Sequence, residues 1–302
     1  MLAGLEVVEL STMAAAPAAC AVLADLGARV VKVETPGEGD AWRRLGGKNY
    51  SGGREFGAMF EQDNRGKQSI ALDLKNEAGG KLLHRLLQRA DIFVTNVRIQ
   101  ALARLELGYE ELHERYPRLI YLHLTAWGRS GPRAEWPGYD TGAYGAASGI
   151  MDMQRASEES AMSRWPIGAG DHAASMSVVG GIGLALHHRH TTGEGQLVDV
   201  SLLRAGIWAN SHSVVAATAS EEWSESMRLE MPAGGRPLLS QPYATASDTW
   251  IHLLGYETHR HLPGALEALG LGDSILATDK ARPDRSLRAA VLPEPDEASV
   301  PA

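Results

Sequence analysis

Cysteine is the scarcest chemistry in this 302-residue chain: Cys20 stands alone. One thiol closes no disulfide within the chain, which fits a reducing compartment. It lies in the apolar run AAAPAACAVLADLGA (14–28), where a thiol serves as a small buried hydrophobe. Positive charge is short as well. Lys and Arg number 29 against 37 Asp and Glu, a formal net charge of -8, which leaves no broad basic face for nucleic-acid phosphates. Only local spots such as Arg43-Arg44 suit a small anion. No apolar run reaches the ~18 residues that a transmembrane helix needs. The opening MLAGLEVVELS lacks the basic region and long apolar stretch of a secretion signal. A cytoplasmic location is the resulting expectation. Also missing is a GxGxxG turn after the first apolar strand. That turn reads STMAAAPAA, which argues against a dinucleotide pyrophosphate loop and so against a nicotinamide dehydrogenase.

What is present is an ordinary globular composition, 44% hydrophobic and 22% charged, arranged in two alternating periods. LEVVEL (5–10), RVVKVE (29–34), SIALDLK (69–75), DIFVTNV (91–97) and LIYLHLTAW (119–127) read as buried strands. Between them PAACAVLADLGA (17–28), NEAGGKLLHRLLQRA (76–90) and GYEELHERYP (108–117) read as helices, with a glycine-rich, charged loop over 37–67. Continuous apolar strands alternating with amphipathic helices predict an α/β fold: a Rossmann-like, mostly parallel sheet covered on both faces. Ligands of such sheets collect beyond the carboxyl ends of the strands. Residues 131–170 read as loops and short helices, LVDVSLL (197–203) as a strand or helix start, TWIHLLG (249–255) as a strand and HRHLPGALEALGLGDSI (259–275) as a helix. The expected organisation is a large domain over 1–206, then a linker and a smaller α+β domain over 207–302 whose Pro- and acid-rich tail does not pack.

One acid stands out. Asp171 lies between glycines and the helical run HAASMSVVGGIGLALHHRH. Its plain reading is an N-cap, accepting a bond from a backbone N–H further on. Its chemical reading is a nucleophile that attacks an activated acyl group, with helix N–H groups steadying the oxyanion. Gly168 and Gly170 would then let a large ligand approach. The next residue, His172, has no nucleophile-elbow pattern around it. His187, His188 and His190 are neighbours on one helix and do not face one way, so no metal site is expected. Lys75, Arg98 and Arg104 follow the carboxyl ends of predicted strands and together suit an anionic nucleotide.

GLEVVELS, APAACAVLADLGARVVKVE, QDNRGKQSIALDLKNEAG, DIFVTNVR, LIYLHLTAWGRSGP, GYDTGAYGAASG and GAGDHAASMSVVGGIGLALHHRHTTGEGQLVDVSLL, in that order, resemble the family III CoA-transferases, the superfamily that includes formyl-CoA transferase and the α-methylacyl-CoA racemases. The likeness runs over about residues 2–206 and more loosely over 237–280. It implies an interlocked homodimer, no permanently bound cofactor, and coenzyme A and acyl-CoA as substrates with a small carboxylic acid as partner. The resemblance makes Asp171 the catalytic nucleophile, passing through an acyl anhydride and an aspartyl-CoA thioester. It places CoA contacts at Leu72, Asp73, Leu74, Lys75, Asn96, Val97, Arg98, Arg104 and Tyr139. The sequence departs from the pattern in three places. Tyr139 stands where the racemase branch has a histidine, and a phenol with a pKa near 10 is a poor base at neutral pH, which favours transfer over racemisation. Ala14 replaces a polar group after the first strand. The likeness also fades into RSLRAAVLPEPDEASVPA, which implies an incomplete second domain. The alternatives are an acyl-CoA racemase or isomerase and a truncated, non-catalytic CoA-binding paralogue.

Overall fold

The computed structural model describes residues 1–45, 57–155, 159–219, 240–245, 247, 249–255 and 257–268. The chain falls into two compact units, Met1–Ala219 and Ser220–Ala302. The boundary read from sequence at 206 falls inside a helix, Leu202–Ala209. There Gly206 packs so closely on the Tyr144 carbonyl that an added Cβ would sit 2.4 Å from its oxygen.

The first unit is a six-stranded sheet in the order β3-β2-β1-β4-β5-β6. Its strands are β1 (Glu6–Leu10), β2 (Arg29–Glu34), β3 (Gln68–Ala71), β4 (Ile92–Thr95), β5 (Ile120–Thr125) and β6 (Leu197–Ser201). Every pairing is parallel. Alternate side chains enter opposite cores, which is why these strands read as unbroken apolar runs. Val7, Val30, Ile92, Val94, Ile120 and Leu122 pack under α1 (Ala15–Asp25) and α7 (Ala169–Thr192). Val8, Val33, Phe93 and Tyr121 pack under α3 (Glu77–Leu87), α4 (Ile99–Arg104) and α5 (Tyr109–Arg115). Cys20 is fully buried in the first core, where burial, with Glu9 beside it, pushes the thiol well up and keeps it inert.

Two expected strands stop early, and both stops serve the site. SIALDLK leaves the sheet after Ala71: the Leu72 N–H makes a last ladder bond to the Glu34 carbonyl at 2.9 Å, and the Asp73 carboxylate then accepts from the Lys75 N–H at 3.0 Å to form a turn. DIFVTNV ends at Thr95, so Asn96 and Val97 form the corner before α4. The loop read over 37–67 holds a 3₁₀ turn at Ala41–Arg43 and a helix, α2 (Ala58–Asn64), which sequence reading missed along with α4. Both helices are too short to display a periodic face. The short helix α6 (Ile150–Met153) lies between β5 and α7. After β6, Ser201 caps α8 (Leu202–Ala209) by accepting from the Arg204 N–H at 3.2 Å, and α9 (Ser211–Ala219) follows. LVDVSLL is thus strand and helix start in turn.

In the second unit β7 (Ser240–Ala244) and β8 (Trp250–Leu254) form an antiparallel hairpin, followed by α10 (Thr258–Ala268). The acidic tail and residues 220–239 lie outside the described residues. Among the described residues no helix is long and apolar enough to cross a membrane.

Candidate active site

Strand order reverses between β1 and β4, so the corners that follow them diverge and open a crevice at their carboxyl ends. The corners are tied together. The Asn96 side-chain amide pairs with the Thr12 backbone as a strand would, accepting from its N–H at 3.0 Å and donating to its carbonyl at 2.7 Å. The Val97 carbonyl accepts from His123 Nε2 at 2.9 Å, and His123 Nδ1 meets Arg129 at 3.1 Å. A carbonyl only accepts, so the proton sits on Nε2 and Nδ1 takes the guanidinium donor. Burial, with Arg129 alongside, lowers the imidazole pKa and keeps the ring neutral.

Thr12 and Val97 form a waist between two lobes. The larger, about 690 Å³, is lined by Leu72, Asp73, Leu74, Lys75 and Arg104. The smaller, about 250 Å³, is lined by Met13, Ala14, Asn96, Arg98, Trp136, Tyr139 and Asp171. The residues singled out from sequence therefore line one two-part cleft, but not in the grouping their order suggests. Lys75 and Arg104 share a lobe, whereas Arg98 lines the other with Asp171. Asn96 has its amide committed to Thr12.

Asp171 is not a cap. Gly168, left-handed at φ 75°, holds the N-cap position, and Asp171 is the third residue of α7. The capping work falls to Asp140. Its carboxylate accepts from the Gly170 N–H at 3.2 Å, the Trp165 indole at 3.1 Å and the Thr141 N–H at 2.7 Å. Gly170 does not clear a path for ligand either: a Cβ there would lie 2.7 Å from the Tyr144 side chain. Its missing side chain makes room for the protein's own ring. On the far side His172 Nε2 pairs with Asp63 at 2.8 Å, and Asp63 also accepts from the Trp42 indole at 2.9 Å.

This leaves the Asp171 carboxylate half-buried in the smaller lobe, with no hydrogen-bond donor on it among the described residues. Burial first, and then the Asp140 and Asp63 carboxylates against the opposing pull of His172, push its pKa to about 7. A desolvated, unpaired carboxylate is a stronger nucleophile than a solvated one. On the resemblance's expectation that Asp171 is the acyl carrier, only its ionised form attacks, so acyl capture should rise with pH and level off above a midpoint of about 7. Single-turnover rates measured from pH 5.5 to 8.5 check this, and a flat profile across that range would contradict it.

Behind the waist lies a buried ionic knot. Lys32 Nζ reaches Glu9 at 2.8 Å, Asp40 at 3.0 Å and the Ser11 carbonyl at 2.9 Å. Lys67 Nζ reaches the other Glu9 oxygen at 2.7 Å, with Asn64 and the Pro17 carbonyl at 2.9 Å. Asp40 in turn accepts from the Met13 N–H at 3.1 Å and holds that residue left-handed, at φ 69°. His123, Asp140, Asp63, Met13 and Trp136 escaped sequence reading because their roles come from partners remote in the chain. A lysine and glutamates inside the strands LEVVEL and RVVKVE were the available signal for the knot.

The HHRH run ends α7, with Arg189 turned onto Asp91 at 3.0 Å. Among the described residues no group of three or more His, Cys, Asp or Glu is placed to hold a metal ion.

The family model described as CoA-transferase family III matches residues 2–298. The chain is 36% identical to an (R)-2-hydroxy-4-methylpentanoate CoA-transferase of Clostridioides difficile, a match over 84% of this chain and 62% of that protein. It is 34% identical to the human alpha-methylacyl-CoA racemase, over 81% of this chain and 59% of the relative. The chain thus spans about three fifths of the length of these curated relatives. Among solved structures, a CAIB/BAIF family protein from Brucella suis superposes with a TM-score of 0.78 at 30% identity, covering 93% of this chain and 72% of that one.

Proposed function

The chain belongs to CoA-transferase family III, and on that premise we propose that it moves CoA from an acyl-CoA donor to a small carboxylic acid with Asp171 as covalent carrier. The observation that carries the reading is the two-lobed cleft, with Lys75 and Arg104 in one lobe and, in the other, a carboxylate that meets no donor among the described residues. A CoA thioester has the same division: phosphates and nucleotide at one end, a reactive carbonyl at the other, and a narrow pantetheine arm to pass the waist.

The Asp171 carboxylate attacks the thioester carbonyl, the C–S bond breaks, and CoA leaves as thiolate from a mixed anhydride. The thiolate then attacks the aspartyl carbonyl, releasing the donor acid and leaving an aspartyl-CoA thioester. The acceptor carboxylate attacks that thioester, expelling the thiolate again. The thiolate takes the acceptor acyl group from the second anhydride and restores Asp171. Every intermediate is hydrolysable, so the lobe must exclude water throughout. The substrates are acyl-CoA and acid, with no resident cofactor. The assembly is a homodimer and the location the cytoplasm.

Lys75 and Arg104 act as phosphate anchors in this scheme. Replacing either by alanine should raise KM for the CoA thioester about 10-fold while kcat changes less than about 3-fold, the signature of binding lost equally from ground and transition states. Steady-state kinetics with both substrates varied separate the two parameters.

Racemisation needs a second acid/base group across the lobe. His123 has both ring nitrogens engaged, and position 139 carries a tyrosine where the racemase branch has a histidine, so transfer is the better supported chemistry. The deciding experiment incubates the protein with a panel of acyl-CoAs, adds hydroxylamine and sequences the Asp171 peptide by mass spectrometry. A hydroxamate at Asp171 is expected. Obligatory exchange of the α-proton with deuterated solvent, with the peptide unmodified, would replace this reading by the racemase one.

A further inference from the structure

The smaller lobe also carries a statement about which acyl group it takes. The segment after β5 folds back over Asp171, and its aromatic residues stay in the open: Trp136 is 57% exposed and Tyr139 is 69% exposed, yet both line the lobe with Ala134 and Pro137. The segment is held in place. Arg133 lies over the rings of both Trp127 and Trp136, 5.3 Å from each centroid. The Trp127 indole donates to the Pro137 carbonyl at 3.2 Å. Gly138 packs so tightly that an added Cβ would stand 2.7 Å from Ala126 and 2.8 Å from the Trp127 indole nitrogen. A large aromatic ring kept exposed beside a nucleophile by a stacked guanidinium and a close backbone contact is a preformed apolar wall. The lobe continues in Met13, Ala14, Leu124, Ala126 and Leu202.

Charge points the same way. Asp140 and Asp63 already disfavour the ionised form of Asp171, so an acyl group bearing its own carboxylate would add a like charge to a field that is already negative. Arg98 is the one cation among the described residues lining the lobe, and it is exposed, where an ion pair contributes little.

We infer, resting on the transferase reading, that this lobe selects an uncharged acyl group with a flat apolar side chain, an aryl or arylalkyl group stacked on Trp136, and disfavours acyl groups that carry a second carboxylate. Arg133 is then a positioning residue acting through Trp136.

The test compares 3-phenylpropanoyl-CoA with succinyl-CoA as donors, reading the rate of Asp171 capture by the hydroxylamine trap. The expected kcat/KM ratio favours the phenylpropanoyl donor by about 10-fold or more. Trp136→Ala should lower that ratio about 3- to 10-fold, and Trp136→Phe should retain most of it. Arg133→Gln should lower it in the same direction while leaving the Kd for free CoA within about 2-fold. A wild-type ratio at or below one, or a ratio unmoved in Trp136→Ala, overturns the inference while leaving the transferase reading intact. Capture of neither donor, nor of any other acyl-CoA, takes down the transferase reading and this inference with it.

Discussion

Asp171→Asn should abolish turnover, by at least about a thousandfold, and make the protein more stable. The first half follows from the proposed chemistry: an amide of the same shape offers no nucleophilic oxygen, and removing the proposed covalent carrier takes away the whole low-barrier route. The second half follows from the pKa. A carboxyl group that titrates at about 7 in the fold and near 4 in the unfolded chain holds its proton more tightly when folded. Between those values the folded state binds more protons, so stability falls as pH rises through the window. Above about pH 7 the wild type carries the full penalty of an unpaired, half-buried charge, and the amide variant carries none. The melting temperatures of the two proteins should therefore coincide near pH 4 and separate toward pH 8, with the variant higher. A variant that keeps a tenth of wild-type turnover, or that melts below wild type at pH 8, would refute the assignment of Asp171 as an activated carboxylate. The contrast also separates a catalytic from a merely structural aspartate, whose loss lowers both quantities.

The largest loss of stability is expected from Lys32→Met. Methionine fills much of the same volume, so the change is chiefly one of charge. In the wild type two ammonium groups, Lys32 and Lys67, face two carboxylates, Glu9 and Asp40, all nearly inaccessible to solvent. Burial alone would raise the Glu9 pKa, and Lys32 and Lys67 outweigh it to hold the group ionised below its usual range. Burial alone would lower the Lys32 pKa, and Glu9 and Asp40 outweigh that in turn. Removing Lys32 leaves two buried carboxylates for one cation, and breaking a buried pair from one side costs about 3–5 kcal/mol. That is a large share of the 5–15 kcal/mol typical of a domain. The midpoint of urea unfolding should drop accordingly. Lys32→Met with Asp40→Leu, which balances the charge again, should recover part of the loss. Because Asp40 also holds the Met13 N–H, the double variant gives up that bond and its recovery should stay incomplete. A Lys32→Met protein within 1 kcal/mol of wild type would mean that the knot is not the desolvated, mutually dependent set described above.

The parts legible in advance were those whose physics is local. β1, β2, β4 and β5 read clearly because strands covered on both faces are apolar throughout. α2 and α4 were not legible. Seven residues at Ala58–Asn64 and six at Ile99–Arg104 are too few to show a 3.6-residue period above their surroundings. Gly170 was misread for a related reason: a glycine announces that something approaches closely, but not what, and the neighbour is Tyr144, remote from it in sequence. The site residues were nameable one at a time through the resemblance, whereas their division into two lobes was not.

Composition and pattern by themselves determined the layered α/β architecture, its lack of disulfides, and the presence of an acid where a helix meets a glycine-rich loop, since each depends on neighbours along the chain. Tertiary structure alone decided that Asp171 lies free of donors among the described residues while Asp140 does the capping, that Asn96 is spent on Thr12, and that Arg98 parts company with Lys75 and Arg104. These outcomes depend on strand order and on where each strand breaks off. A parallel sheet brings to one edge residues a hundred positions apart, and there burial and mutual charge, rather than residue type, set what each group can do.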